Sequence, residues 1–298
     1  ADAPAPYRPA AHALVEEPLE EAALEARIPN LTGDQPAAPA TSAVRAQYAA
    51  YPYPRWAAAA KRRPQPIARV AAGLFPKATL PKWPDRRLDV LIAGCGTGKH
   101  AADVASRFQG ARILGVDISR PALAYAARML KGAAAIEFAE ADIMTIDGLD
   151  RRFDHIESVG VLHHLADPRA GWAALVGLLR PGGTMRLGFY SARGRSRIRK
   201  ARTALAAAGF HGQDDADLRA ARAHALDAPA DSDAWLATQE LDFYAASGAR
   251  DFLFHAQEQE FSPAELADMA DDLGLRVIGI ELHDAEAGRL YRRLYPDD

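Results

Sequence analysis

An apolar run that passes directly into a turn almost free of side chains constrains this chain more than any other feature. Residues 88–100 read LDVLIAGCGTGKH, in which Gly94, Gly96 and Gly98 alternate with Cys95 and Thr97 before a helix start. Glycine tolerates positive φ and has no Cβ, so a ligand can lie against the main chain of such a turn. Nineteen residues beyond Gly98, a second apolar run, ARILGV, ends in Asp117. Strand, glycine turn, helix and acid-terminated strand predict a nucleoside-binding βαβ unit whose carboxylate accepts hydrogen bonds from two ribose hydroxyls. A glycine turn that serves only the backbone is the alternative.

The spacing narrows the ligand. A dinucleotide fingerprint, G-x-G-x-x-G, needs its third glycine at position 99, which holds Lys99. No Tyr-x-x-x-Lys pair occurs in the chain, which argues further against hydride transfer on a nicotinamide. The G-x-G-x-G spacing resembles motif I of the class I S-adenosylmethionine (SAM) dependent methyltransferases. The following segments keep that family's order: a helix over 119–131, a strand AIEFAEAD ending at Asp142, a strand FDHIESV leading to Gly160, then VLHHLADP, a helix over 170–179, and LRPGGTMRLGFYS with an Arg-Pro-Gly-Gly entry to a fifth strand. The resemblance covers residues 88–190. It implies an α/β fold with a Rossmann-like, doubly wound, mostly parallel sheet, SAM as cofactor, and methyl transfer as the activity.

On that resemblance the cofactor lies against Ala93, Gly94, Cys95, Gly96, Thr97 and Gly98, with Asp117 and Ile118 after the second strand, Asp142 and Ile143 after the third, and Gly160 after the fourth. Asp142 would cap the adenine amino group, and a helix or turn cap is its structural alternative. The family carries an acid two residues before the first glycine, where it meets the methionine ammonium. This chain has Ile92 there, so carbonyls near Ala93 and Gly160, or an acid from elsewhere, would have to serve.

With 298 residues, 49% of them hydrophobic, the chain can bury one large core or two modest ones. A net charge of −3 makes nucleic acid an unlikely partner. The single cysteine, Cys95, leaves no disulfide frame or thiolate metal site, and no metal is expected. No run of 18 apolar residues and no secretory signal occurs, so no membrane association and a cytoplasmic location are expected.

Four parts are expected: an N-terminal helical and linker extension over 1–85, the SAM-binding core over 86–192, a helical lid or substrate insertion over 193–260, and a C-terminal helix and strand over 261–298. In the extension, 1–9 is Pro/Ala-rich and expected to be extended, 12–27 reads as an acidic helix, and 31–39 as a linker. The chain starts at Ala1 without methionine, consistent with trimming or processing. The segment SAVRAQYAAYPYPRW begins as a helix and breaks at Pro52 and Pro54, with Tyr48, Tyr51, Tyr53, Arg55 and Trp56 closely spaced. It resembles a stretch upstream of the methyltransferase domain in bacterial proteins that often carry tetratricopeptide repeats, which are absent here. Tyr53 or Arg55 could reach the methionine carboxylate, and a strap packed on the sheet edge is the alternative.

The insertion opens with six basic residues within 193–202. They form either a solvated helix face or a site for an acidic substrate or protein partner, partly neutralised by Asp214, Asp215 and Asp217. ELDFYAASGARDFLFHAQEQEFSPAEL resembles the same region of the repeat-linked family, which makes His255 and Glu258 candidate substrate-facing groups. Ser262, Pro263 and Glu265 form a capping box, and LRVIGIEL at 275–282 is the expected sixth strand.

A sulfonium already carries an activated leaving group, so the protein must mainly hold a nucleophile in line. A base is needed only for a nucleophile that retains its proton, and His163 or His164, just past the fourth strand, could take it; a turn-building role is the alternative. The segment after that strand lacks Asn/Asp-Pro-Pro-Tyr, so the acceptor is expected to be an O, N or S atom of a small molecule or a protein. A competing reading is a catalytically silent SAM-binding scaffold whose basic helix and aromatic strap serve a partner.

Overall fold

The computed structural model describes residues 12–33, 39–59, 62–133, 135–282 and 285–295. The expected extended segment at 1–9 lies outside them, as does most of the expected linker. Five parallel strands form one sheet in the order β3-β2-β1-β4-β5. Central β1 (Asp89–Ala93) is buried along its whole length, between β2 (Arg112–Asp117) and β4 (Phe153–Val159). β3 (Ile136–Glu140) and β5 (Leu179–Gly188) lie outside them. Alternate strand residues point to opposite faces, and the core divides accordingly. Leu91, Ala93, Leu114 and Ile156 pack with Trp172 and Leu175 on one face, while Val90, Ile92 and Ile113 pack with Val104, Phe108 and Leu123 on the other.

Helices α1 (Glu17–Glu25), α2 (Pro39–Ala50) and α3 (Ile67–Leu74) precede the sheet. The crossovers carry α4 (Lys99–Arg107), α5 (Arg120–Met129) and α6 (Pro168–Gly177). Helix α6 starts two residues earlier than expected, because the Asp167 carboxylate accepts from Ala170 N at 2.9 Å and Pro168 supplies the first turn. β5 correspondingly begins at Leu179, ahead of the Arg-Pro-Gly-Gly stretch, with a register irregularity between Phe153 and His155 on β4.

After β5, α7 (Ser196–Ala207), α8 (Asp215–Asp227) and α9 (Ala246–Phe254) enclose a third core containing Leu205, Leu218, Phe243 and Phe252. α10 (Pro263–Asp272) carries the expected capping box in full, and α11 (Ala285–Leu294) ends the described chain. The expected sixth strand does not form: 275–282 has no ladder partner, with Val277 52% and Ile280 67% exposed. Side chains hold the segment instead. Glu281 Oε2 accepts from Arg186 Nε at 2.7 Å, and Arg276 donates to the Thr79 carbonyl at 2.7 Å. Among the described residues no helix is long and apolar enough to cross a membrane.

Candidate functional site

The carboxyl end of β1 opens into the glycine turn, where Gly94, Gly96 and Gly98 have φ of 76°, 51° and 81°. Side chains are excluded sterically as well. A Cβ on Gly94 would lie 2.3 Å from Val161 Cγ2, and one on Gly98 2.7 Å from Ala126 Cβ. Asp117 at the end of β2 pins the turn: Oδ2 accepts from Gly96 N at 2.8 Å and Oδ1 from Ser119 N at 2.9 Å. Burial pushes this carboxyl above its ordinary value, against the backbone donors that hold it down. Gly160, φ 77°, faces open space at the end of β4. Thr97 and Cys95 are buried, and burial holds the Cys95 thiol well above its ordinary value, so it is no nucleophile.

Asp142 acts as a cap, its Oδ1 accepting from Met144 N at 2.9 Å, while Ile143 is buried in the core and Ile118 is half-buried. Ile92 is wholly buried. Its register partner on β4 is Glu157, a buried carboxylate whose Oε2 meets His100 at 2.7 Å and Arg186 at 3.2 Å, and whose Oε1 meets Arg107 at 2.6 Å and His155 at 3.1 Å. Burial alone would raise Glu157, but its hydrogen bonds to His100 and His155 hold it well below its ordinary value. The acid missing at position 92 therefore has a counterpart one strand away, but its charge is spent inside the sheet.

The aromatic segment lies across the glycine turn. Thr97 Oγ1 donates to the Pro54 carbonyl, and Trp56 Nε1 donates to the Thr97 carbonyl at 2.9 Å. Tyr125 on α5 closes the far end, accepting from Trp56 N at 3.2 Å and donating to its carbonyl at 2.6 Å. The two residues expected to reach a carboxylate are engaged elsewhere. Tyr53 donates to Asp242 Oδ2 at 2.8 Å, and the exposed Arg55 sits 5.4 Å from the centre of the Tyr125 ring.

Past β4, the histidines enter a buried stack. His163 lies 3.9 Å from the Tyr190 ring centre and 4.2 Å from that of His164, which in turn stacks on His255 at 3.6 Å with planes 18° apart. Both His163 ring nitrogens are buried without a hydrogen-bond partner. Burial lowers His163 and His255 to about 2 and His164 to about 4, so all three are neutral at pH 7. His164 Nδ1 meets the Gln257 carbonyl at 2.7 Å. As donor there, it leaves Nε2 with a free lone pair.

Sequence reasoning missed Asp251, although it falls in an Arg-Asp pair of the resembling stretch. It is buried, accepts from Tyr48 at 2.7 Å, and is pushed up to about 6 by burial. Donor atoms of His164, Asp251 and His255 lie within 4.8 Å of one another, yet the set does not fit a metal. Lone pairs in nearly parallel stacked rings cannot converge on one ion at about 2.0–2.1 Å. His255 Nδ1 also accepts from Gln257 N at 3.0 Å, so its Nε2 carries the proton and faces Tyr48 Oη at 3.2 Å.

Glu258 accepts from Arg195 at 2.9 and 2.6 Å and from Arg202 at 3.0 Å, which fixes the Arg195 guanidinium 3.9 Å from the Tyr190 ring centre. Arg199 pairs with Glu260. Three of the six basic residues thus pair with Glu258 and Glu260, which offset two of their three charges, and not with the expected aspartates. Asp214 caps α8, Asp217 accepts from His211 N and Gln213 N, and Asp215 accepts from Tyr51.

Residues 90–183 match the family of the methyltransferase domain. The chain is similar to an uncharacterized protein of Synechococcus sp., 30% identical over 82% of this chain and 61% of that protein. It is also similar to trans-aconitate 2-methyltransferase of Deinococcus radiodurans, 36% identical over 40% of this chain and 43% of that enzyme. The chain thus spans less than two thirds of the curated relatives it matches. Among solved structures, PKMT2 from Rickettsia typhi in complex with AdoHcy superposes with a TM-score of 0.53 over 83% of this chain and 50% of that one, at 18% identity. That likeness establishes the shared Rossmann-like fold.

Proposed function

We propose that the chain is a SAM-dependent methyltransferase that moves a methyl group to an O, N or S nucleophile of a small molecule or a protein. The observation that carries this reading is the bare main chain of Gly94, Gly96 and Gly98, pinned by Asp117, within a segment matching the methyltransferase domain. SAM bound there supplies the activated methyl group. Ala93 to Gly98 would hold its amino-acid end, Asp117 and Ile118 the ribose, Asp142 and Ile143 the adenine, and Gly160 would leave the space after β4 open to it. With Ile92 apolar, the ammonium would be met by main-chain carbonyls at Gly160 and at Ala93, which already accepts from Ser158 Oγ at 3.0 Å, or by an acid from elsewhere.

The protein's own chemistry is positioning and desolvation. One histidine of the pair accepts the nucleophile's proton: His164, through the free lone pair on Nε2, while His163 packs beside it, His255 backs His164 and Glu258 holds Arg195 against Tyr190. The low basicity of His164 suits a nucleophile that sheds its proton readily.

We read 193–260 as the lid over the acceptor, supported by its separate core, and keep the 1–85, 86–192 and 261–298 divisions as part of this reading. The likeness to repeat-linked methyltransferases rests on the aromatic strap, and a cytoplasmic location is kept as part of this reading. A protein acceptor or partner would meet the exposed Arg193, Arg197 and Lys200.

Incubation with methyl-labelled SAM and cell extract tests the activity. Label transferred to a small-molecule or protein fraction supports it. SAM binding with no transfer into any fraction replaces it with the silent scaffold.

A further inference from the structure

The strap faces two ways. Its carbonyls bond to the cofactor half: Tyr48 O accepts from Ser119 Oγ at 3.1 Å, and Pro54 O accepts from Thr97 Oγ1. Its side chains bond to the lid: Gln47 Oε1 accepts from Ala256 N at 2.9 Å, and three tyrosines meet three aspartates, Tyr48 to Asp251, Tyr51 to Asp215 and Tyr53 to Asp242. These aspartates lie on or beside α8 and α9 and in the short 3₁₀ turn between them. Each link spans more than 160 residues of chain.

We propose that Tyr48, Tyr51 and Tyr53 are positioning residues that couple occupancy of the glycine turn to the arrangement of the His164, His255 and Asp251 cluster. The inference rests on the SAM reading above. A Cβ on Gly96 would lie only 3.0 Å from the Tyr53 carbonyl, so a ligand on the turn meets the strap directly. Tyr48 touches the histidine stack, its ring centre 5.6 Å from that of His255, and its hydroxyl bridges His255 and Asp251. A shift of the strap therefore reaches the acceptor side through a hydrogen bond that an aspartate at that depth cannot forgo without loss. Coupling of this kind is reciprocal: a ligand that orders the lid tightens the turn by the same factor.

Hydrogen exchange with S-adenosylhomocysteine as probe tests the coupling in the wild type and in the Tyr48→Phe/Tyr51→Phe/Tyr53→Phe variant, which keeps the rings and removes the hydroxyls. The probe should slow exchange at 94–98 in both proteins. At 246–256 it should slow exchange in the wild type, and the variant should lose about fivefold or more of that protection, the lower end of ordinary coupling. Equal protection of 246–256 in both proteins overturns the coupling, as does a wild type protected at the turn but not in the lid. Absence of protection at 94–98 in the wild type contradicts the SAM reading itself and removes the inference with it. If the triple variant does not fold, Tyr53→Phe alone should lower the probe-dependent protection of 240–249, and unchanged protection there overturns the proposal.

Discussion

The Tyr48 hydroxyl donates a 2.7 Å hydrogen bond to Asp251 Oδ1, joining positions 203 residues apart. It brings the strap, the lid and the histidine stack to one buried point, and it explains how an acid pushed up to about 6 by burial is tolerated beside neutral imidazoles. The same density of buried titratable groups makes several properties of the chain measurable.

The glycine turn should separate steric from backbone demands. Gly94→Ala adds a Cβ 2.3 Å from Val161 at a φ of 76°, whereas Gly160→Ala, at φ 77°, meets nothing within 4 Å. The first should lose about 2–4 kcal/mol, through strain and overpacking together, and the second about 1–2 kcal/mol. Urea unfolding measures both, and equal losses would show that Val161 does not fill the space over the turn.

Glu157→Gln should destabilise the fold by about 3 kcal/mol at pH 7, since it leaves Arg107 and its neighbours buried without a carboxylate. Glu157 is held below its ordinary value of 4.5. Its stabilisation is therefore present above that value and lost as pH falls through the lower folded value. The gap between wild type and variant should narrow in denaturant curves at pH 3, and a gap independent of pH would refute the ion cluster.

Chain-local patterns made part of this legible. Glycine spacing and the acid at 117 follow from local backbone requirements, so the βαβ unit could be read directly, as could the Ser262 cap. Residues 275–282 carry an apolar pattern fit for a strand, but whether the β5 edge accepts a partner is a property of the assembled sheet. The tyrosine–aspartate links join segments with no shared local signal. The histidine pair was recognisable beside the turn, but its stacking on Tyr190 and His255, and hence its loss of basicity, arises only from tertiary packing.

His163→Phe should stabilise the protein under acidic conditions. Burial lowers His163 from 6.5 to about 2, so on acidification from 6.5 the unfolded chain takes up a proton that the native one refuses. Stability is thus complete above 6.5 and declines as pH falls, by about 2 kcal/mol at pH 5 from this residue. Asp251, raised from 3.8 to about 6, works oppositely between those values. Phenylalanine keeps the stack on Tyr190 and removes two orphaned nitrogens. Unfolding curves at pH 7 and 5 should therefore show a smaller pH loss in the variant, and an identical loss would mean that His163 is protonated in the native state.

The most direct measurement is calorimetric titration of S-adenosylhomocysteine into the wild type and Asp117→Ala. A carboxylate that accepts from the ribose predicts saturable one-site binding, weakened by about 1.5–3 kcal/mol in the variant. No heat with the wild type, or equal affinity in a folded variant, would contradict the claim that the turn at Gly94, Gly96 and Gly98 holds this cofactor.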